Sequence, residues 1–187
     1  MKLDDIDKQI INILFQNGRQ SLTELGTKVQ KSNEESMSHT GVNKRISKLE
    51  KKGILKVQGN INIQSLEYNA CFILMEMKSY EYIKKIINAY LECPRVFLLS
   101  QVNGRYNLIM GILGRDIGTL HRFINYCGPT NKDGVLHSDV LFVSEFKVPK
   151  YIPSNLFTPE SRECDCGNIC KNCEAFLAGE CDGCGNF

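Results

Sequence analysis

The sequence predicts an α+β chain: an N-terminal winged helix-turn-helix, a ferredoxin-like βαββαβ domain and a small cysteine-rich metal module. Three observations predict it. A basic amphipathic stretch over residues 38–52 comes after two shorter helical patterns and precedes an alternating segment centred on Gly59-Asn60. From residue 69 to 148, apolar runs at strand and helix spacing alternate in the order β-α-β-β-α-β. Six of the nine cysteines then crowd into the last two dozen residues. The resulting domain boundaries are 1–64, 65–148, a proline-containing linker at 149–163, and the cysteine tail at 164–187.

Leu3, Ile6, Ile10, Ile13 and Leu14 trace one face of a first helix, with Asp4 and Asp7 near its start and Asn17-Gly18 ending it. Ser21-Leu22-Thr23-Glu24 has the spacing of a capping box and opens a second short helix through Leu25 and Val29. Residues 30–36 are polar and carry no period. In the third helix Val42, Ile46 and Leu49 share one face, and Lys44, Lys48 and Lys51 lie on the other. Ser38 suits its N-cap and Gly53 its C′ position, with lysines in the last turn where the helix dipole favours cations. Between residues 38 and 56 there are six bases, Lys44, Arg45, Lys48, Lys51, Lys52 and Lys56, against Glu50 alone. A whole-chain charge of only +2 makes this a local concentration. It is the electrostatic footprint of a duplex-binding helix. After Gly53, residues 54–63 alternate around Gly59-Asn60, a two-residue hairpin signal, and supply the wing.

In the second domain, residues 71–77 read as a strand and 80–91 as a helix through Ile83, Ile86, Ile87 and Tyr90. Strands over 96–102 and 106–113 flank a turn at Asn103-Gly104. A helix over 116–127 passes through Ile117, Leu120, Phe123 and Ile124, and a long strand over 134–148 closes the unit. Both helices then cover one face of an antiparallel sheet. The other face is left apolar, which predicts pairing with a second copy. Pro149, Pro153 and Pro159 make the next segment an extended linker.

No apolar run approaches a membrane span, and Met1-Lys2-Leu3-Asp4-Asp5 is no signal peptide, so the expectation is a cytoplasmic, reducing environment. Cys71, Cys93 and Cys127 stand singly in apolar surroundings and read as inert core residues. His121 and His137 read as ordinary surface or core positions.

Several motifs together resemble the Lrp/AsnC (feast/famine) family of transcription regulators over roughly the first four-fifths of the chain. They are Leu3-Asp4-x-x-Asp7-x-x-Ile10, Asn17-Gly18-Arg19, and Ser38-x-Thr40-x-Val42-x-x-Arg45-Ile46-x-x-Leu49-Glu50-x-x-Gly53-Ile54. Pro94-x-Val96 and Gly104-x-Tyr106-x-Leu108 carry the likeness into the second domain. The resemblance implies sequence-specific binding of double-stranded DNA by a homodimer or higher oligomer joined through the sheet domains, and no enzymatic activity. It implies that Ser38, His39, Thr40, Asn43, Lys44 and Ser47 face the groove, with Arg45 bracing the helix or touching phosphate. Lys48, Lys51, Lys52 and Lys56 would meet the backbone.

Two departures accompany the likeness. The family joins its second and third helices by a short connection, whereas residues 30–36 are extra here, either prolonging the second helix or bulging as a loop. The effector loop of amino-acid-sensing members reads Gly-Asp-Tyr-Asp. Here Gly104-Arg105-Tyr106-Asn107 has no carboxylate to receive an ammonium group. Siroheme decarboxylases share this two-domain plan and supply the alternative, an enzyme. They carry a histidine before the tyrosine string and an arginine-rich wing, and this chain has neither.

The tail reads C-x-C-x3-C-x2-C-x7-C-x2-C through Cys164, Cys166, Cys170, Cys173, Cys181 and Cys184. Each C-x2-C knuckle offers two thiolates from one turn, and so short a segment cannot build an apolar core, so metal binding is expected. Cys170, Cys173, Cys181 and Cys184 would hold zinc; Cys166, Cys170, Cys173 and a later cysteine would serve an iron–sulfur cluster. From residue 160 onward six acids face two bases, so DNA should repel this end. The tail would then be a metal or redox sensor acting on dimer geometry, or a structural zinc clasp beside a small-molecule effector.

Overall fold

A computed structural model describes residues 2–30, 35–154 and 169–179. The chain divides into two compact units, Met1–Gly59 and Asn60–Phe187.

The first unit holds three helices, α1 (Asp5–Gln16), α2 (Leu22–Lys28) and α3 (His39–Lys51). Their ends obey local chemistry. The Asp4 carboxylate accepts from the Asp7 amide at 2.8 Å. Ser21 and Glu24 form both bonds of the capping box. Ile10, Leu14, Leu25, Val29 and Val42 make the core, with Ile6, Ile13, Leu22, Met37, Ile46 and Leu55 packed around it. The apolar stripe of each helix therefore points at the other two, which is what sets their mutual orientation.

Helix α2 ends at Lys28 with Val29 as its C-cap, so it stops short of Gln30. Instead the ends of the extra segment are tied. Gln30 and Ser36 form an isolated antiparallel bridge. The Gln9 side chain receives the Gln30 amide at 2.9 Å and donates to its carbonyl at 3.2 Å. Just beyond, the Met37 amide donates to the Gly26 carbonyl at 2.9 Å, so the backbone leading into α3 lies directly on α2.

The expected hairpin around Gly59-Asn60 is not formed. Residues 55–60 carry no regular structure, and Ile54 and Val57 remain 41% and 44% exposed, so no strand pair buries them. Ile61 satisfies its backbone elsewhere: its amide and carbonyl exchange bonds with Ile152, both at 2.9 Å. A non-local partner has displaced the local one. Ile152, placed by sequence in an open linker, is 2% exposed and packs with Ile63, Ala70 and Leu113.

The second unit is a four-stranded antiparallel sheet in the order β2-β3-β1-β4, from β1 (Asn69–Met77), β2 (Val96–Gln101), β3 (Leu108–Gly114) and β4 (Val135–Phe142). This is the ferredoxin-like order. Helix α4 (Tyr80–Tyr90) and α5 (Ile117–Arg122) pack on one face, through Ile83, Ile86, Tyr90 and Leu120 against Ile73, Met75, Met110 and Ile112. The helix expected over 116–127 is divided, since a π-helical turn takes Phe123–Cys127. The last strand stops at Phe142 rather than reaching 148.

Cys71, Cys93 and Cys127 all lie in this core. Burial pushes the Cys71 thiol up to about 12, so it stays protonated and unreactive at neutral pH.

The opposite face of the sheet is partly covered. Phe72, Phe97 and Phe146 meet edge to face at one end, with centroids 5.7 to 6.4 Å apart. The register places Leu74, Ile109 and Leu141 together on that same face, and Leu98 joins them from β2. Leu98 and Leu141 stay 38% and 52% exposed, leaving an apolar surface on this unit.

Candidate nucleic-acid interface

The site is built on α3, and both of its ends are closed by its own residues. Ser38 Oγ accepts from the Gly41 amide at 3.2 Å. At the other end Gly53, at φ +63°, donates to the Glu50 carbonyl at 2.8 Å, and Ile54 donates to Leu49 at 2.9 Å. These two bonds make a Schellman motif, which stops the helix at Lys52 and turns the chain away. Val42 and Leu49 are fully buried. With the inner face committed, the outer face is committed too. Asn43, Lys44, Ser47, Lys48, Lys51 and Lys52 line one shallow groove of about 390 Å³.

Ser38, His39, Thr40, Asn43, Lys44, Lys48 and Lys51 are exposed and Ser47 is half-buried. His39 Nε2 and Thr40 Oγ1 lie 3.3 Å apart at the first turn. Donors and acceptors therefore cluster at the start of the helix, and cations run along its middle and end. Base edges need the first set and phosphates the second.

Arg45 belongs to neither. Its Nη1 donates to Asp4 Oδ2 at 2.6 Å and to Asp7 Oδ1 at 2.8 Å, and Asp7 is only 6% exposed. Of the two roles open to it, Arg45 takes the brace, tying α3 to the start of α1. The bond from the Asp7 amide, and then Arg45, hold the Asp4 carboxyl below its usual range. The two carboxylates in turn raise the Arg45 guanidinium.

The loop Gly104-Arg105-Tyr106-Asn107 sits at the end of the sheet, and β3 begins only after it. Asn107 is structural. Its side chain receives the Met77 amide at 2.8 Å and donates to the Met77 carbonyl at 3.0 Å. The Tyr106 hydroxyl donates to the Asp139 carboxylate. The Tyr106 ring stacks on His137, with centroids 6.2 Å apart, and Arg105 Nε lies 3.7 Å from Glu76. His137 is an exposed surface residue, and its Nε2 lies 3.5 Å from Asp139 Oδ1 in the same cluster. The one signal in the sequence is their two-residue spacing on a strand, which puts both on one face.

Cys164, Cys166, Cys181 and Cys184 lie outside the described residues. Cys170 and Cys173 are half-buried and carry no disulfide. Among the described residues no three His, Cys, Asp or Glu side chains are grouped to hold a metal ion, and no helix is long and apolar enough to cross a membrane.

A three-helix unit whose capped, lysine-faced helix stands outside its core, followed by a ferredoxin-like sheet, defines the class of helix-turn-helix proteins. The model of the AsnC-type helix-turn-helix domain matches residues 3–50. YezC, an uncharacterized HTH-type transcriptional regulator of Bacillus subtilis, is 30% identical over 125 residues, which are 66% of this chain and 84% of that protein. The crystal structure of PH0061 superposes with a TM-score of 0.70 at 27% identity, covering 79% of this chain and 96% of that one. E. coli AsnC, at 19% identity, shares the fold with a TM-score of 0.64 over 79% of this chain and 96% of its own. The chain belongs to the Lrp/AsnC family of helix-turn-helix regulators.

Proposed function

We infer that this chain is a DNA-binding transcription regulator that reads a duplex with α3 and works as a homodimer joined through its sheet units. One observation carries the reading: the outer face of α3 presents Lys44, Lys48 and Lys51, which make no ion pair among the described residues, beside the polar first turn at Ser38, His39 and Thr40. An ordinary solvated helix mixes both signs of charge on its exposed face. This groove is lined by four lysines and no acid. Membership of the family and the likeness to YezC support the same conclusion.

The test is selection of binding sites from a random duplex library, and then titration at several salt concentrations. A preferred sequence is expected, bound with an affinity that falls steeply with salt. Lys48→Ala should weaken binding to every sequence about equally and lower the salt slope by about 1 per protomer. Asn43→Ala should instead relax preference at particular base pairs. Absence of any preferred sequence would defeat the reading.

Dimer formation is supported by the apolar face around Leu74, Leu98, Ile109 and Leu141. Leu141→Asp places a charge on it and should yield monomers in sedimentation, with operator affinity reduced at least roughly tenfold because the two half-sites are no longer linked. An unchanged oligomer would move the interface elsewhere.

A further inference from the structure

We propose that Asn103 is a site of spontaneous covalent modification, in which the Gly104 amide nitrogen closes on its side chain and converts it to aspartate and isoaspartate. Asparagine is among the thermolabile residues. A glycine next in the chain favours ring closure, because the attacking backbone carries no Cβ to hinder it. The chain has two Asn-Gly pairs, Asn17-Gly18 and Asn103-Gly104, so the sequence marks both alike. The structure separates them.

Asn103 lies in the loop between β2, which ends at Gln101, and β3, which begins at Leu108. Asn103, Gly104 and Arg105 are exposed. The Val102 amide donates to the Asn107 carbonyl at 3.1 Å and closes the loop. Inside that closure neither the Asn103 side chain nor the Gly104 amide makes a hydrogen bond among the described residues. A Cβ built on Gly104 would meet only the Tyr106 carbonyl oxygen, at 3.6 Å, so the surroundings leave room for the ring. Asn17 is equally exposed but held. Its amide donates to the Ile13 carbonyl at 2.9 Å, and its side-chain oxygen receives the Arg19 amide at 3.0 Å. Ring closure there must break the Arg19 bond and disturb the end of α1. Hydrogen bonding, and not access, makes the difference.

The Gly104 nitrogen gives its proton to solvent base and bonds to Asn103 Cγ, and the side-chain nitrogen leaves as ammonia. Water then adds to one of the two carbonyls of the resulting succinimide and opens it. Opening at Cγ gives aspartate, and opening at the main-chain carbonyl gives isoaspartate. One water is consumed, one ammonia is released, and nothing is oxidised or reduced. Either product places a carboxylate two residues from Arg105, whose Nε lies 3.7 Å from Glu76, so the new charge competes with Glu76 for that cation. Isoaspartate also lengthens the main chain by one carbon inside the loop that Val102 and Asn107 close.

The test incubates the full chain warm at mildly alkaline pH and follows it by ion exchange, intact mass and peptide mapping that separates aspartate from isoaspartate. An acidic species one mass unit heavier is expected, with the change at Asn103. Asn103→Gln should abolish that species, and Asn17→Gln should leave it unchanged. In the native chain Asn103 should react roughly fivefold or more faster than Asn17, the worth of one hydrogen bond. In denaturant the two pairs should react at similar rates, because the fold no longer holds Asn17. Equal rates in the native chain, faster reaction at Asn17, or an Asn103 that survives in the native chain while the denatured chain reacts would each overturn the proposal. None of these readouts involves DNA or a second copy of the chain.

Discussion

Arg45→Met is expected to destabilise the helical unit by about 2–3 kcal/mol, less than the loss of one partner of a fully buried pair, because only the Asp7 carboxylate is shielded from water. The substitution keeps the aliphatic stem and removes only the guanidinium. Asp7, whose side chain is 9% exposed, would then hold its carboxylate without the cation 2.8 Å away. Asp4 is 53% exposed and can turn to water, so Asp7 carries most of the cost. Asp7→Asn in the Arg45→Met background should recover part of the loss, since the stranded charge is gone. Denaturant unfolding of the four proteins of this cycle gives the coupling directly. A change within about 0.5 kcal/mol for Arg45→Met would show that the pair is screened like a surface bridge.

The same contact sets a pH dependence. The Asp4 carboxyl is held low by the Asp7 amide and Arg45, so its contribution is complete above the ordinary aspartate range. It is lost as pH falls through the lowered folded value, below about pH 4. Unfolding midpoints measured from pH 7 to pH 3 should drop more steeply for the parent than for Arg45→Met.

Gly26→Ala should do comparable damage by a different route. A Cβ on Gly26 would lie 2.2 Å from the Met37 carbonyl oxygen and 3.3 Å from its carbon. Both sides of that clash are backbone, so no side chain can rotate to relieve it. Helix α2 and the run into α3 must separate, and the Met37-to-Gly26 hydrogen bond is drawn out with them. A loss of about 3 kcal/mol is expected, at the upper end for overpacking. Hydrogen exchange locates it: protection should fall at α2 and α3 and remain at β1 and β3. Parent-like protection across α2 and α3 would mean that the two segments are less closely joined than their geometry indicates.

Much of the fold is legible in the sequence because its signals are local. Ser21, Ser38 and Gly53 close their helices through bonds that span no more than a few residues, and all three are visible as short patterns, whereas the sequence shows Asp4 only as an acid near the start of the first helix. Periodicity marks Val42 and Leu49 as inward and Lys44 and Lys48 as outward, and that placement defines the candidate interface. Single cysteines in apolar runs read correctly as core for the same reason.

The rest depends on choices between distant partners. Gly59-Asn60 is a sound hairpin signal, yet Ile61 pairs with Ile152, ninety-one residues further on, and buries that residue with Ile63 and Leu113. A turn motif proposes one pairing and cannot weigh it against a strand-like partner elsewhere. Arg45 stands among lysines on a basic helix, and only the arrival of Asp4 and Asp7 from α1 makes it a brace instead of a phosphate ligand. Tyr106, His137 and Asp139 meet because the register sets β4 beside β1 with the loop at its end. The sequence by itself determined where the helices lie, most of their caps and the basic face, since each is decided within a turn or two of backbone. Tertiary structure alone decided which charges are spent inside the protein and which remain to meet a partner, because an ion pair or a strand pair is chosen by geometry across the whole chain.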